Sequence, residues 1–567
     1  TVANLASTDI TEDSPTDDAT ADPVIGNYCT GSPLTDDSEI TLSEGGLKTS
    51  TSTSWKSVYG TMAVTSGKWY WEGQFSATTS GNEANRYFGV VDAEKNPASG
   101  SVNTNGWVGY LQEAGSAQII DHGSSTNITG QTAVKSDYWA VALDMDAGKI
   151  WFAKNNSWLD IGSGAGNPAT AANPVFTNLL STGSGIVTPG MSWNTDDNGG
   201  TWNFGQLGFQ YTPPSGFLAL CTANLPAPAI KDPSAHFQAH TVTHDGSSTA
   251  FTIGWSATTY DTLFMIKNRE STEIWYVVDG LRGYNKYTDV NAAYNEGSVT
   301  DANVVSVSGT TITLGSTLSS DDYVVYCWRG GAAGGAANEL GSINTVASAN
   351  TTAGFSIITY TGTGSNATIG HSLGKAPRFW QAKSTVATPS GGTYQGCHMS
   401  KGSTHGISWA DHAGTYDNAT YWQDTDPTST VISIGTASSM NQSTETFVIY
   451  AWAEIDGFSK FGKYYGSGSA TEGAAIFCNF SPAYFWAQAD ASEHAFVTDN
   501  ARSLYNPRDK AAYQCEDNAE VTDVARDFYS GHVIGKDTDG NFAQNYYFVS
   551  FGANPFGGSG VSQARAM

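Results

Sequence analysis

At 567 residues the chain exceeds what one hydrophobic core organises, and 63 glycines with 12% aromatic but only 14% charged residues point to many short strands and turns, hence an all-β protein of several domains. A formal charge of −27 with only 26 Lys and Arg excludes a nucleic-acid partner, because phosphate neutralisation needs clustered cations. No window approaches eighteen apolar residues, so membrane insertion is not expected.

In chain order, residues 1–30 read as an extended acidic arm, rich in Asp, Thr and Ser and without the charged and apolar regions of a signal peptide. Residues 31–228 read as a β-sandwich. Its central stretch is GKWYWEG at Gly67 to Gly73, where Trp69, Trp71 and Phe75 alternate with Lys68, Tyr70 and Glu72, the period of a half-buried strand. RYFGVVDA follows at Arg86–Ala93, then GWVGY, then DYWAVALDMDAGKIWF, whose DMDAG suits a hairpin reversal, and finally WNFGQ. Trp69, Trp71, Trp139 and Trp151 are assigned to the core. In that order over Thr41 to Ala223, these segments resemble the SPRY family, a concanavalin-like antiparallel sandwich. The resemblance implies recognition or scaffolding rather than catalysis.

Pro226 and Pro228 stiffen a connection near Ile230. Beyond it three anchors recur in the same order, predicting three related β-rich modules at 231–335, 343–463 and 464–560, before a tail at 561–567. The first anchor is an aromatic strand: TLFMIKN, RFWQAKS and YFWAQAD. The second is a strand ending in Gly: TITLG, VISIG and HVIG. The third is a closing strand: YVVYCW, FVIYAW and YFVSFG. RGGAAGGAANELGS at Arg329–Ser342 reads as a flexible linker.

The hinge AWAEIDGFSKFGKYYGSGS at Ala451–Ser469, the preceding TYTGTGSNATIGHSLGKAPRFWQAKS and the terminal YYFVSFGANPF look like modules of tailed-bacteriophage tail-fibre or appendage proteins. The sequence departs from that pattern in its first unit, where CWRGGAAGG replaces the hinge, and at Gly552 to Phe556. The resemblance implies a virion subunit, extracellular after host lysis, with other virion proteins and a host-surface glycan or receptor as partners. It also implies a homo-oligomer, with a trimer favoured.

Catalytic motifs are absent: there is no nucleophile elbow, P-loop or H-E-x-x-H, so no catalytic residue, metal or cofactor is assigned. His236, His240 and His244 lie four apart, but on a strand-like segment that merely shares a face. Cys397, His398, His405 and His412 match no ligand spacing. DTDGN at Asp537–Asn541 lacks the distal Glu of a calcium loop and reads as a turn. The six cysteines are widely spaced, which argues against a disulfide framework; Cys327 and Cys478 read as small buried hydrophobes, while the segment carrying Cys397 reads as an exposed loop. Recognition is placed instead on aromatics on or near loops at the sandwich ends, Trp107, Tyr110, Trp158 and Trp193, whose flat faces suit sugars and partner surfaces. The function expected is adhesion by an appendage subunit. The alternatives are a capsid decoration or connector with purely structural contacts, and a glycan depolymerase.

Overall fold

The alternation in KWYWEGQF does form a strand, Lys68–Phe75, and it is the middle of a large antiparallel sheet. The computed structural model describes residues 28–32, 40–51, 56–75, 86–93, 107–113, 116–121, 124–128, 137–179, 185–193, 198–206, 208–290, 303–386, 393–410, 414–468, 473–491, 493–528, 532–535 and 539–555. Beside Lys68–Phe75 lie Tyr138–Asp144 on one edge and Asn198–Asn203 on the other. The DMDAG reversal joins Tyr138–Asp144 to Lys149–Lys154, and Asp144 accepts from the Ala147 amide across the turn. A second sheet, centred on Arg86–Asp92 between Val187–Trp193 and Trp107–Glu113, stacks on the first. Between them Trp71, Phe75, Phe88, Trp139, Met191 and Trp202 fill the sandwich core.

Lys68–Phe75 is not half-buried, as its alternation suggests. Its second face is covered by chain from Phe209 to Phe217, so Tyr70 and Glu72 are as enclosed as the tryptophans. A buried carboxylate is tolerated only when its oxygens are hydrogen-bonded. Glu72 accepts from the amides of Gln210 at 2.7 Å and Tyr211 at 2.8 Å, from the Tyr70 hydroxyl at 2.8 Å and from Asn203 Nδ2 at 3.3 Å. This one side chain therefore pins the covering segment down.

The rest of the chain forms three sets of sheets with one strand order. The first set has Asp322–Ala332 flanked by Phe237–Thr243 and Tyr260–Asn268, continued by Tyr276–Asp279 and Tyr287–Asp289. The second has Thr446–Trp452 flanked by Phe355–Thr361 and Phe379–Ser384, continued by Gln395–His398 and His405–Ile407. The third has Asn545–Pro555 flanked by Ser459–Tyr465 and Phe480–Ala489, continued by Phe496–Asp499 and Ala511–Tyr513. Each has a small companion sheet, built on Thr311–Gly315, Val431–Ile434 and His532–Gly535 respectively. In every set the three sequence anchors occupy the same three strands. Among the described residues the only α-helices are single turns at Ala419–Trp422 and Ser438–Asn441.

Three expected boundaries move. Tyr28 bridges to Cys221, and the Cys29 amide donates to Leu220 O, so these residues belong to the sandwich rather than to the arm; residues 1–27 lie outside the described ones. The Gly/Ala stretch is not a flexible linker. Arg329–Ala332 completes a central strand, and Ala336–Asn338 pairs with Thr345–Asn350 at the edge of the second set. Small side chains read as flexible in isolation, but here they allow close approach: a Cβ on Gly331 would lie 2.6 Å from the Ala349 amide nitrogen. Finally, a division between 463 and 464 would cut Ser459–Tyr465, all seven residues of which pair with Asn545–Pro555.

Candidate functional site

The strand registers decide first what becomes of the recognition aromatics. Trp107 opens Trp107–Glu113 opposite Val91, while Trp193 closes Val187–Trp193 opposite Arg86. Val91 and Arg86 are five residues apart on one strand, roughly 17 Å. Tyr110 lies between these ends, opposite Phe88, and so in a strand rather than a loop. Trp158 sits on the edge strand Ser157–Trp158 of the other sheet, half-buried against the cluster containing Tyr70, Trp151 and Phe217. The four positions do not converge on one site, because residues near in sequence to different loops leave a sheet at opposite ends. The side chains of Trp107, Tyr110 and Trp193 lie outside the described ones.

The histidines also separate. His236 Nδ1 is 3.0 Å from Asn350 Nδ2, His240 Nε2 is 2.9 Å from Gln238 Oε1 and His244 Nδ1 is 3.1 Å from Thr249 Oγ1. Cys397 and His398 point to opposite faces of their strand, and His412 lies outside the described residues, as do Asp537 and Thr538. No group of three metal-binding side chains occurs among the described residues. No cysteine forms a disulfide; Cys327 and Cys478 are buried as expected, Cys397 is buried on a strand rather than in an exposed loop, and burial pushes the thiols of Cys29 and Cys478 up to about 12.

What the fold does bring together is the three modules themselves. Pairing registers make Asp279, His398 and Asp499 equivalent, each ending the strand that follows Tyr260–Asn268, Phe379–Ser384 or Phe480–Ala489 in its sheet, and likewise Arg282, Lys401 and Arg502 three residues later. By the same registers Tyr326, Tyr450 and Val549 are equivalent on the central strands. Asp279 accepts from the second module's Tyr450 hydroxyl at 2.7 Å and is held by Arg282 Nε. Asp499 accepts from the first module's Tyr326 hydroxyl at 2.7 Å and is held by Arg502 Nε. Between the second and third modules, where Val549 has no hydroxyl, His398 Nε2 lies 2.9 Å from Phe548 O. The contacts run first to second, second to third and third to first, so the modules close a ring. Trp328, Trp452 and Phe551, at equivalent positions, meet Phe379, Tyr484 and Trp486 at its centre, within a single hydrophobic core. Chemically these contacts are locks, in which a polar side chain of one module is satisfied by its neighbour.

A recess in the third module has a volume of about 540 Å3, within the range of small-ligand sites. Glu493, Glu516, Asp523 and Asp539 line it together with the aromatic faces of Phe496, Tyr513 and Phe542. His494 stacks on Tyr513 with ring centroids 4.2 Å apart, and its Nδ1 is 3.1 Å from Glu516 Oε1. Burial, with Asp539 nearby, raises the Glu493 carboxyl, which accepts from the Tyr546 hydroxyl at 2.6 Å. Carboxylates beside flat rings can accept hydroxyl donors while a sugar face or an apolar ring lies on the aromatics. Sequence reasoning missed this recess because its residues come from separated segments of an acid-rich chain. A smaller cleft of about 200 Å3 separates Val64 and Trp69 of the sandwich from Lys460 and Cys478 of the third module, with Pro226 and Pro228 also lining it.

Residues 232–555 match the model of a family described as "Domain of unknown function (DUF7483)". No curated protein matches the chain. Among solved structures, the TRIM65 PSpry domain is similar at 16% identity and a TM-score of 0.24, covering 31% of this chain and 92% of its own. The SPRY domain of human HERC1 is similar at 18% identity and a TM-score of 0.23, covering 30% of this chain and 94% of its own.

Proposed function

We propose, from the premise that the chain belongs to the family of this domain of unknown function, that it is a bacteriophage virion protein serving as a tail-fibre or appendage subunit that adheres to the host surface. The observation that carries the reading is the closed ring of three β modules behind a β-sandwich, in which arginine-held carboxylates join one module to the next. Such a body is suited to presenting surfaces rigidly. The SPRY-type reading of the sandwich supports recognition in the same sense, as do the tail-fibre-like hinge and closing motifs of the later modules.

The ring changes how multivalency would work. Modules sharing one core do not act as independent grips, so avidity comes from several chains held on one particle, with a homotrimer as the expected arrangement. The third-module pocket, with carboxylates beside aromatic rings, is the recess we assign to a host glycan. The test is to locate the chain in intact particles by cryo-electron microscopy and to measure binding of purified chain to host-surface polysaccharide. Density at an appendage, with binding weakened tenfold or more by Tyr513→Ala, is the expected result. Absence from the particle refutes the assignment, and placement wholly beneath other virion proteins favours the connector role. Release of reducing ends would instead establish a depolymerase.

A further inference from the structure

At two of the three ring seams a tyrosine hydroxyl meets an arginine-held carboxylate, and at the third an imidazole stands in the carboxylate's place. His398 is 1% exposed and lies among Phe379, Phe461 and Tyr547, with ring centroids 5.7, 6.5 and 5.8 Å away. Its Nδ1 accepts from the Ser400 amide at 3.2 Å, which leaves the proton on Nε2 to be donated to Phe548 O at 2.9 Å. The neutral ring therefore satisfies one neighbour on each side. A second proton has no acceptor, since it would face the Ser400 N–H.

We propose that the seam between the second and third modules is an acid-sensitive opening: a second proton on His398 sets its Nδ1–H against the Ser400 N–H and leaves a buried charge among aromatic rings, which parts these two modules while the other two seams hold. The charged groups around it come from every element packed there. Arg378 precedes its neighbouring strand and opposes a second positive charge. Glu454 would favour one, but it is occupied by Lys460 Nζ at 2.9 Å and the Phe461 amide at 3.0 Å. Lys401, where the other seams have arginine, reaches across this seam to Asp490 of the third module at 2.7 Å and lies over the Tyr547 ring, so its charge is already paired. Burial is the main cause holding the imidazole down at about 4.

A histidine free to titrate normally only after the seam opens makes the opening proton-linked, by up to tenfold per pH unit between about 6.5 and about 4. The opening would uncover Trp486 and Trp409, which pack around Phe379 at the ring centre.

The test is hydrogen exchange by mass spectrometry on the full chain at pH 7 and pH 4.5, corrected for intrinsic rates. Peptides spanning 395–402 and 545–555 are expected to open about 100-fold more at pH 4.5, while those spanning 276–282 and 496–502 stay within threefold. His398→Gln, which keeps a donor towards Phe548 O, is expected to abolish the step, and His236→Asn to leave it intact. Equal exchange at all three seams in the wild-type chain overturns the proposal without recourse to any variant. So does a step that survives in folded His398→Gln or disappears in His236→Asn.

Discussion

Tyr450→Phe removes one oxygen from the seam between the first and second modules and little else. That hydroxyl is fully buried, donates to Asp279 Oδ2 at 2.7 Å and accepts from Arg282 Nη2 at 3.0 Å. Hydrogen bonds to charged groups contribute about 1.5–3 kcal/mol, and phenylalanine fills the same ring volume, so the expected loss is about 2 kcal/mol. Spread over the roughly 320 residues of the family match, whose unfolding entropy scales with length, this lowers the ring's melting temperature by about 3 °C. Asp279→Asn should cost more, about 3–5 kcal/mol, because it leaves the Arg282 guanidinium buried without its counter-charge. Tyr326→Phe, at the equivalent position facing Asp499, should match Tyr450→Phe. Calorimetry and denaturant melts of the four chains, with a Tyr450→Phe/Asp279→Asn cycle, measure this directly. A loss below about 0.5 kcal/mol for both tyrosine variants, or full additivity in the cycle, would refute the lock.

Glu72→Gln replaces a fourfold acceptor with a group that can accept at only one oxygen, and should destabilise the sandwich by about 2–4 kcal/mol while leaving the ring transition in place; differential scanning calorimetry separates the two. The six cysteines should resist a thiol reagent at neutral pH until the chain unfolds, with labelling that tracks denaturant rather than reagent concentration. The pH dependence of ring stability carries a definite sign. His398 is held neutral in the folded state, so its contribution is complete above about 6.5 and declines by about 3 kcal/mol as pH falls towards about 4. Urea midpoints measured from pH 7 to pH 4 should fall accordingly, and less so in His398→Gln.

Much of the architecture was legible from local pattern. The aromatic and β-branched runs of KWYWEGQF and of the three closing strands marked the strands themselves, because such side chains fit a pleated surface, although both faces of these strands are buried. Recurrence of three anchors revealed three related units for the same reason, since each copy must rebuild the same sheet. Cys327 and Cys478 read correctly because a small thiol inside an apolar run is a core residue wherever the run goes, whereas Cys397, amid polar residues, gave no such signal. Tertiary structure alone decided the rest. That Glu72 is buried depends on chain almost 140 residues later folding over it. Whether Trp107 and Trp193 share a surface depends on register, a property of pairs of strands and not of either strand. The pairing of Asp279 with Tyr450, and the substitution of His398 where Val549 offers no hydroxyl, join positions about 150 or more residues apart. No periodicity within a segment encodes them, because a ring is closed by contacts between segments.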